Sequence, residues 1–316
     1  MNLDNIDVSV IIPVHNGAVW LGECLASVLR QQHTLTVEVS VFLDSCKDTS
    51  EDIVQGWAVK LEDQGYVITV GKENNDKPKG VGYAKNKAVE QSHGEFLFSR
   101  DPPDSTVRYT KWANGLTAEQ LTLQIYTSHG PTVIMPTWFI HHTVFERVGG
   151  FSDAGAGTPE DLIFFFTHLK RGGRVVRHDE ELLIYRYHPQ ATTFSIHEQT
   201  IWDLRVRVIQ DEVLSSWPSF TIWNAGKQGR KFYRSLTTDN QKKVMAFCDV
   251  DVKKIGSFYT YEESQEKPKP RIPMIHFKEA KPPLIICMKM ELTDGVFEEN
   301  LASLQLKEGT DYFHFN

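Results

Sequence analysis

The hydrophobic positions of the first hundred residues alternate between two patterns. Residues 7–13, DVSVIIP, form a near-continuous β-branched run, as expected of a strand buried on both faces of a parallel sheet. The run stops at the turn Pro13–Val14–His15–Asn16–Gly17, after which Leu21, Cys24, Leu25, Val28 and Leu29 recur at helical spacing. Residues 36–43, TVEVSVFL, predict a second strand ending at Asp44. Thr49 and Asp52 then predict a capping box at the start of the next helix. A third strand over 66–70 runs into the polar loop GKENNDKPKGVG and a helix carrying Ala84, Ala88 and Val89, and 95–98 gives a fourth strand. This βαβαβαβ order predicts a doubly wound α/β sheet that binds ligands at the carboxyl ends of its strands.

The pattern resumes downstream. Residues 155–173, GAGTPEDLIFFFTHLKRGG, predict a helix with Thr158 as cap, Pro159 in the first position and a Thr158–Asp161 capping box. Residues 198–214 predict a helix that links two domains. Then SFTIWNAGKQGRKFYRSL reads as strand, small-residue turn and helix, and KVMAFCDVD as a strand ending at Asp249. PPLIICM (282–288) predicts another strand, FEENLASL (297–304) a helix, and YFHF (312–315) a last edge. The expectation is an α/β domain over 1–197 followed by a small Rossmann-like domain over 198–316.

Composition narrows the class. The chain has 316 residues, enough for two cores, and is 41% hydrophobic and 24% charged with no low-complexity tract. No run approaches the length of a membrane span, and MNLDNIDVSVIIP enters a strand at once, so neither a signal peptide nor a membrane anchor is expected. Cys24, Cys46, Cys248 and Cys287 are scattered without metal or redox spacing, which suits reduced thiols in the cytoplasm. A net charge of −7 argues against non-specific binding to nucleic acid or anionic membrane and leaves room for a local basic patch.

The polar residues at the strand ends are Asn16, Asp44 and the 79–86 segment. Asp44 could accept hydrogen bonds from a uracil or ribose, and Lys85 and Asn86 could reach a diphosphate or sugar. Asn16 and Asp44 are equally residues that turns and caps favour. In the second half, Asn224, Gly226 and Gly229 fit a Gly-x-Gly-x-x-Gly fingerprint with Asn in first place. Asp249 falls where a ribose-binding acid belongs. A nucleotide site and a structural remnant both fit. Lys227, Arg230, Lys231 and Arg234 surround Phe232 and Tyr233, a mixture that suits RNA phosphates and bases or a solvated helix face.

Three segments together, VSVIIPVHNGAVWLGECLASVLRQQ, VFLDSCKDTSED and GVGYAKNKAVEQSHGEFLF, resemble successive motifs of the family 2 inverting glycosyltransferases. The resemblance spans residues 8–98 and resumes over about 130–190. It implies a nucleotide-sugar (GT-A-like) fold and a UDP-sugar donor held by Pro13, Val14, His15, Asn16 and Asp44, with Lys85 and Asn86 beside it. It implies a general base in the Glu160–Asp161 pair, Asp161 first and Glu160 second. The base takes the proton from the acceptor hydroxyl as that hydroxyl attacks the anomeric carbon. The order of segments along the whole chain resembles a tRNA-modifying branch of the family, which implies a tRNA acceptor.

One segment departs from the pattern. The family's fourth strand ends in an acidic Asp-x-Asp motif that holds Mg²⁺ or Mn²⁺ on the donor diphosphate. Here FLFSRDPPDS offers Asp101 beside Arg100, then two prolines and Asp104. A few dozen residues, the acidic motif among them, are expected to be missing between about 98 and 101, as in a spliced or truncated form. Arg100 standing in for the metal is the alternative. Asp101, and His188 in YRYHPQATT, are the remaining metal candidates.

Overall fold

The computed structural model describes residues 5–99, 114–128, 137–178, 196–289 and 293–316. Asp101, Asp104 and His188, with the junction at 100–101, lie outside the described residues. The chain divides into two compact units, Met1–Leu116 with Val133–Thr200, and Thr117–Thr132 with Ile201–Asn316. The single boundary expected at 197–198 thus leaves out an excursion of sixteen residues, Thr117–Thr132, that packs with the second unit. Nothing in the polarity of that segment marks the crossing.

Through its first four strands the first unit alternates as the hydrophobic pattern predicts, β1 (Val8–Val14), α1 (Ala18–Leu29), β2 (Val37–Asp44), α2 (Ser50–Asp63), β3 (Val67–Glu73), α3 (Val81–Glu90) and β4 (Phe96–Ser99); β5 (Phe139–His141) and α4 (His142–Val148), which were not predicted, precede the predicted α5 (Glu160–Lys170). The sheet order is β3-β2-β1-β4-β5, with β1 to β4 parallel and β5 antiparallel to β4. Val10, Ile12, Leu21, Leu25, Val39, Val41 and Val54 form the core on the face covered by α1 and α2. Ile11, Phe42, Ala84, Ala88 and Leu97 form the core under α3 on the other face. Helices on both faces of a parallel sheet bear out the doubly wound α/β reading.

Two local expectations are corrected. Thr49 makes no side-chain cap bond at the start of α2. Asp48, one residue earlier, takes that place: its Oδ1 accepts from the Ser50 amide at 3.1 Å and its Oδ2 from the Ala18 amide at 2.9 Å, so one carboxylate serves the first turns of both α1 and α2. The Thr158–Asp161 box is likewise not made. Pro159 is the residue before α5 and has no cap bond, so the helix opens at Glu160 and Thr158 stands too far back. A third difference is one of length. β3 continues to Glu73 because Gly71, Lys72 and Glu73 pair with Phe42, Leu43 and Asp44, and the ladder overrides their weak β-propensity.

Every residue of β2 is buried, including Glu38. Its carboxylate accepts from Ser9 Oγ at 2.6 Å, Thr69 Oγ1 at 2.7 Å, the His93 amide at 2.7 Å and His93 Nδ1 at 3.1 Å. Burial is the largest influence on this carboxyl and pushes its pKa up. The four donors outweigh it and hold the group below the usual glutamate range. With a lowered folded value, the stabilisation is present above the ordinary glutamate pKa of about 4.3 and is lost as the pH falls below it. Glu38→Gln is expected to cost about 1–3 kcal/mol at neutral pH. Its denaturation midpoint should also fall less steeply below pH ~4 than that of the parent. Equal steepness in both proteins would remove Glu38 from this role.

The second unit contains α6 (Glu198–Ile209, most of it here), β6 (Phe220–Trp223), α7 (Lys227–Ser235), α8 (Thr238–Lys242), β7 (Val244–Asp249), β8 (Phe258–Thr260), β9 (Arg271–His276), β10 (Leu284–Ile286), α9 (Val296–Ala302) and β11 (Tyr312–His314). Its sheet order is β11-β10-β6-β7-β9-β8, parallel throughout except for the β8 edge. Taking the parallel strands in sequence, the first sheet has the order 3-2-1-4 and the second 3-2-1-4-5, so each has a topological switch point beside its first strand. Among the described residues no helix is long and apolar enough to cross a membrane.

Candidate active site

The site of the first unit is built at the carboxyl ends of β1 and β2. Pro13 and Val14 close β1, Val14 being buried. His15 Nδ1 then donates to the Asp44 carbonyl at 2.6 Å, which leaves its Nε2 to accept from Asn16 Nδ2 at 3.1 Å. Asn16 takes the left-handed region at φ 49°, and its Oδ1 accepts from the Lys47 amide at 2.7 Å. This turn is held by its own polar side chains, as the turn chemistry of Asn predicts.

Asp44 is 1% exposed, and its Oδ2 accepts from the Gly80 amide at 2.9 Å while its Oδ1 accepts from Ser45 Oγ at 3.1 Å. The carboxylate therefore anchors the residue that precedes α3. A rim of charge lies beside it. Glu73 pairs with Lys79 at 2.8 Å and also accepts from the Tyr83 hydroxyl and from Asn75 Nδ2. The Lys79 bond, then the Tyr83 and Asn75 bonds, hold the Glu73 carboxyl down to about 2.

From Gly80 the network continues along α3 to the elements that carry the candidate base. A Cβ on Gly82 would sit 2.0 Å from the Ser152 carbonyl oxygen and 3.3 Å from Glu160 Cβ, so only glycine lets α3 approach this loop. Gly82→Ala is expected to destabilise the first unit by about 1–3 kcal/mol through this overlap, measured by denaturant titration. A neutral result would show that the two elements separate freely. Asn86 clamps the backbone of Phe151 at two points: its Nδ2 donates to the Phe151 carbonyl and its Oδ1 accepts from the Phe151 amide, both at 2.9 Å. Lys85 Nζ donates to Glu160 Oε1 at 2.7 Å and lies 5.2 Å from the centre of the Phe151 ring. Both members of this ion pair are buried.

Asp161 follows Glu160 in the first turn of α5, half-buried, with its Oδ1 accepting from the Leu162 amide at 2.7 Å. Burial pushes its pKa up, and the Glu160 charge adds to the rise. Lys85 and the amides of the first turn oppose it. A carboxylate with raised proton affinity suits a general base.

The structure thus joins Asp44, Lys85, Asn86, Glu160 and Asp161 into one contiguous arrangement. It also adds Ser45, Gly80, Gly82 and Phe151, which the sequence reading did not single out. The glycines of GVG and the VGGF stretch were the available signal, because small residues mark close approach of backbone. Among the described residues no group of three or more His, Cys, Asp or Glu could hold a metal ion.

In the second unit Asn224, Gly226, Gly229 and Asp249 also come together. Asn224 stands at φ 114° and its Nδ2 donates to the Cys287 carbonyl at 2.8 Å, tying the end of β6 to the chain beyond β10 across the switch point. Its Oδ1 accepts from the Gly226 amide at 2.7 Å, and Asp249 Oδ2 accepts from the Ala225 amide at 3.0 Å. Asp249 also takes Lys254 Nζ at 2.9 Å and the Asp251 amide at 3.0 Å. Burial raises its pKa, and these donors more than offset the rise. A Cβ on Gly229 would meet the Asn224 carbonyl oxygen at 1.9 Å, so this glycine is fixed by close packing of helix on turn. The two amides that would face a pyrophosphate already have internal acceptors.

Residues 9–102 match the family described as Glycosyl transferase family 2. The stretch runs from β1 past β4 and contains Asn16, Asp44, Lys85 and Asn86. Over 97 residues, 31% of this chain, the sequence is 31% identical to the putative glycosyltransferase EpsH of Bacillus subtilis, covering 26% of it. Over 224 residues it is 24% identical to the uncharacterized glycosyltransferase EpsJ of the same organism, covering 59% of this chain and 62% of EpsJ. The chain therefore spans about a quarter and about three fifths of these two relatives' lengths. The crystal structure of S. aureus TarS 1-349 aligns with a TM-score of 0.48 at 14% identity, over 85% of this chain and 100% of that one. The mannosyltransferase PcManGT from Pyrobaculum calidifontis, in complex with GDP-Man and Mn²⁺, aligns with a TM-score of 0.42 at 17% identity, over 66% and 65%. Residues 9–102, which match Glycosyl transferase family 2, form most of the parallel-sheet α/β fold of the first unit.

Proposed function

We propose that this chain transfers galactose from UDP-galactose to the queuosine of tyrosine tRNA in one inverting step. The observation that carries a transferase reading is the continuity from Asp44 through Gly80, Gly82, Lys85 and Asn86 to Glu160 and Asp161. It supports the reading because a run of contacts links the strand end at Asp44 to a carboxylate of raised proton affinity. Asp161 takes the proton of the acceptor hydroxyl as that oxygen attacks the anomeric carbon from the face opposite the leaving nucleoside diphosphate. No covalent enzyme intermediate is required. Glu160, held by Lys85, raises the proton affinity of Asp161 and fixes the first turn of α5. The identity of sugar and acceptor rests on resemblance, since the order of segments along the chain resembles queuosine-tRNA galactosyltransferase.

A divalent cation, Mg²⁺ or Mn²⁺, would supply charge neutralisation for the departing diphosphate. The described residues do not form a site for it, and its sequence candidates Asp101 and His188 lie outside them. The deciding assay is incorporation of labelled galactose into queuosine-containing tyrosine tRNA, with UDP-N-acetylglucosamine as the competing donor. Transfer of galactose alone is the expected result. Transfer of N-acetylglucosamine, or of neither sugar, overturns the assignment.

One set of contacts favours a second reading, a silent form that binds nucleotide or tRNA without transfer. The Asp44 carboxylate is engaged by Gly80 and Ser45, and the Lys85 ammonium by Glu160. UDP binding without turnover would select this reading.

A further inference from the structure

We propose that the edge of the second unit formed by α7, β8 and β9 is an RNA-docking surface. Residues 227–271 contain eleven lysines and arginines against six aspartates and glutamates, a net charge of +5 in a chain whose total is −7. The rest of the chain therefore carries −12, and the positive charge is concentrated here.

What the arginines touch decides whether that charge is available. Arg230 lies over the Tyr259 ring, 5.2 Å from its centre, and its Nε is buried with no hydrogen-bond partner. Arg234 donates to the Tyr259 hydroxyl at 3.3 Å, and Arg271 lies 4.6 Å from the centre of the Phe258 ring. Among the described residues none of the three is in an ion pair with a carboxylate. Rings hold the guanidinium planes in place without neutralising them.

The two faces of the edge are served separately. Tyr259 faces α7, where Tyr233 packs edge-on against it at 5.9 Å between ring centres, and Phe258, its neighbour in β8, points the other way and is 52% exposed. Thr260 pairs with Arg271 across the ladder, so Arg271 shares the face of Phe258. Each face of one exposed edge strand thus presents arginine against an aromatic ring. Lys267 stands exposed in the KPKPR run that leads into β9. Glu262 and Glu263, exposed in the β8–β9 connection, oppose this field.

Fixed guanidinium charges suit the phosphates of a strand, and partly exposed rings suit unstacked bases, which are the two demands of loop or single-stranded RNA. This inference deepens the tRNA-acceptor reading above and rests on it. The test uses the full chain and a double variant, Arg234→Glu with Arg271→Glu, both at exposed positions. Anisotropy titrations with labelled unmodified tyrosine tRNA are run over a salt series. UDP binding and binding to phosphatidylserine vesicles are measured in parallel.

The expected result is an RNA affinity lower by on the order of tenfold in the variant. The plot of log affinity against log salt should be shallower by about 1–2, and UDP binding unchanged. Unchanged affinity and slope, or tighter binding to vesicles than to RNA, overturns the proposal. If tRNA binds through this edge but receives no sugar, the surface stands and the acceptor reading falls. If sugar is transferred while the variant keeps the parent's KM for tRNA, the surface falls and the acceptor reading stands.

Discussion

Replacing Asp161 with asparagine is expected to lower sugar transfer by about 10²–10⁴-fold and to leave UDP binding unchanged. Asparagine keeps the shape of the side chain and lacks the basicity to take the acceptor proton. The pH profile gives an independent reading. Because burial and then Glu160 push the Asp161 pKa up, the acid limb of kcat should lie above the usual aspartate range. Transfer is fully present above that limb and disappears as the pH falls through it. Glu160→Gln removes one of the influences that raise the value and also releases the opposing Lys85 charge, so the limb should move to lower pH. An acid limb that stays in place in this variant would show that another group takes the proton.

The second large effect is on stability. Removing the Glu160 carboxylate by Glu160→Ala takes from the buried Lys85 ammonium the acceptor 2.7 Å away. Loss of one member of a buried pair costs about 3–5 kcal/mol, because the remaining charge stays out of water with its closest opposite charge gone. A double replacement, Lys85→Met with Glu160→Leu, removes both charges and keeps the volume. It should recover most of that loss in a urea titration of the first unit. If the single variant is as stable as the double, water reaches Lys85 and the pair is not buried in solution. Transfer should be impaired in both variants, which separates the structural part of the pair from its effect on Asp161.

The alternation of strands and helices was legible in the first hundred residues because its two innermost strands, β1 and β2, are largely apolar and buried almost throughout. VSVIIPV and VEVSVFLD leave no other assignment, and the structure places both at the centre of the sheet. Local chemistry was less legible. Thr49 and Thr158 have the right residue type for caps, but Asp48 reaches farther than Thr49 and Pro159 moves the start of α5 one residue on. β8 was missed because FYT is short and lies beside a proline-rich run that reads as loop.

In the candidate site, the sequence named Asp44, Lys85, Asn86, Glu160 and Asp161 but not what joins them. Hydrogen bonds such as those of Asn86 to Phe151, 65 positions away, leave no trace in a single sequence. The glycines fare better in retrospect. Gly82 has no local reason to be glycine inside a helix, and a cost of about 1 kcal/mol relative to alanine implies a close neighbour.

The excursion Thr117–Thr132 sets the timetable by which this chain can fold on the ribosome. Gly309 packs against Leu123, Gln124 bonds Glu308, and Asn316 bonds both Tyr126 and Ser128, so the segment is held by partners made long after it. At about 5–20 residues per second, the 188 positions between Ser128 and Asn316 take roughly 10–40 s to synthesise. Leu121, Ile125 and Tyr126 are buried in the finished unit, and the Tyr126 ring meets Phe313, 6.1 Å away between centres, only once that residue has been made. A nascent chain stalled before residue 308 would therefore carry this segment in the middle of its sequence, available to chaperones, with β6 and β7 already made and β11 still to come.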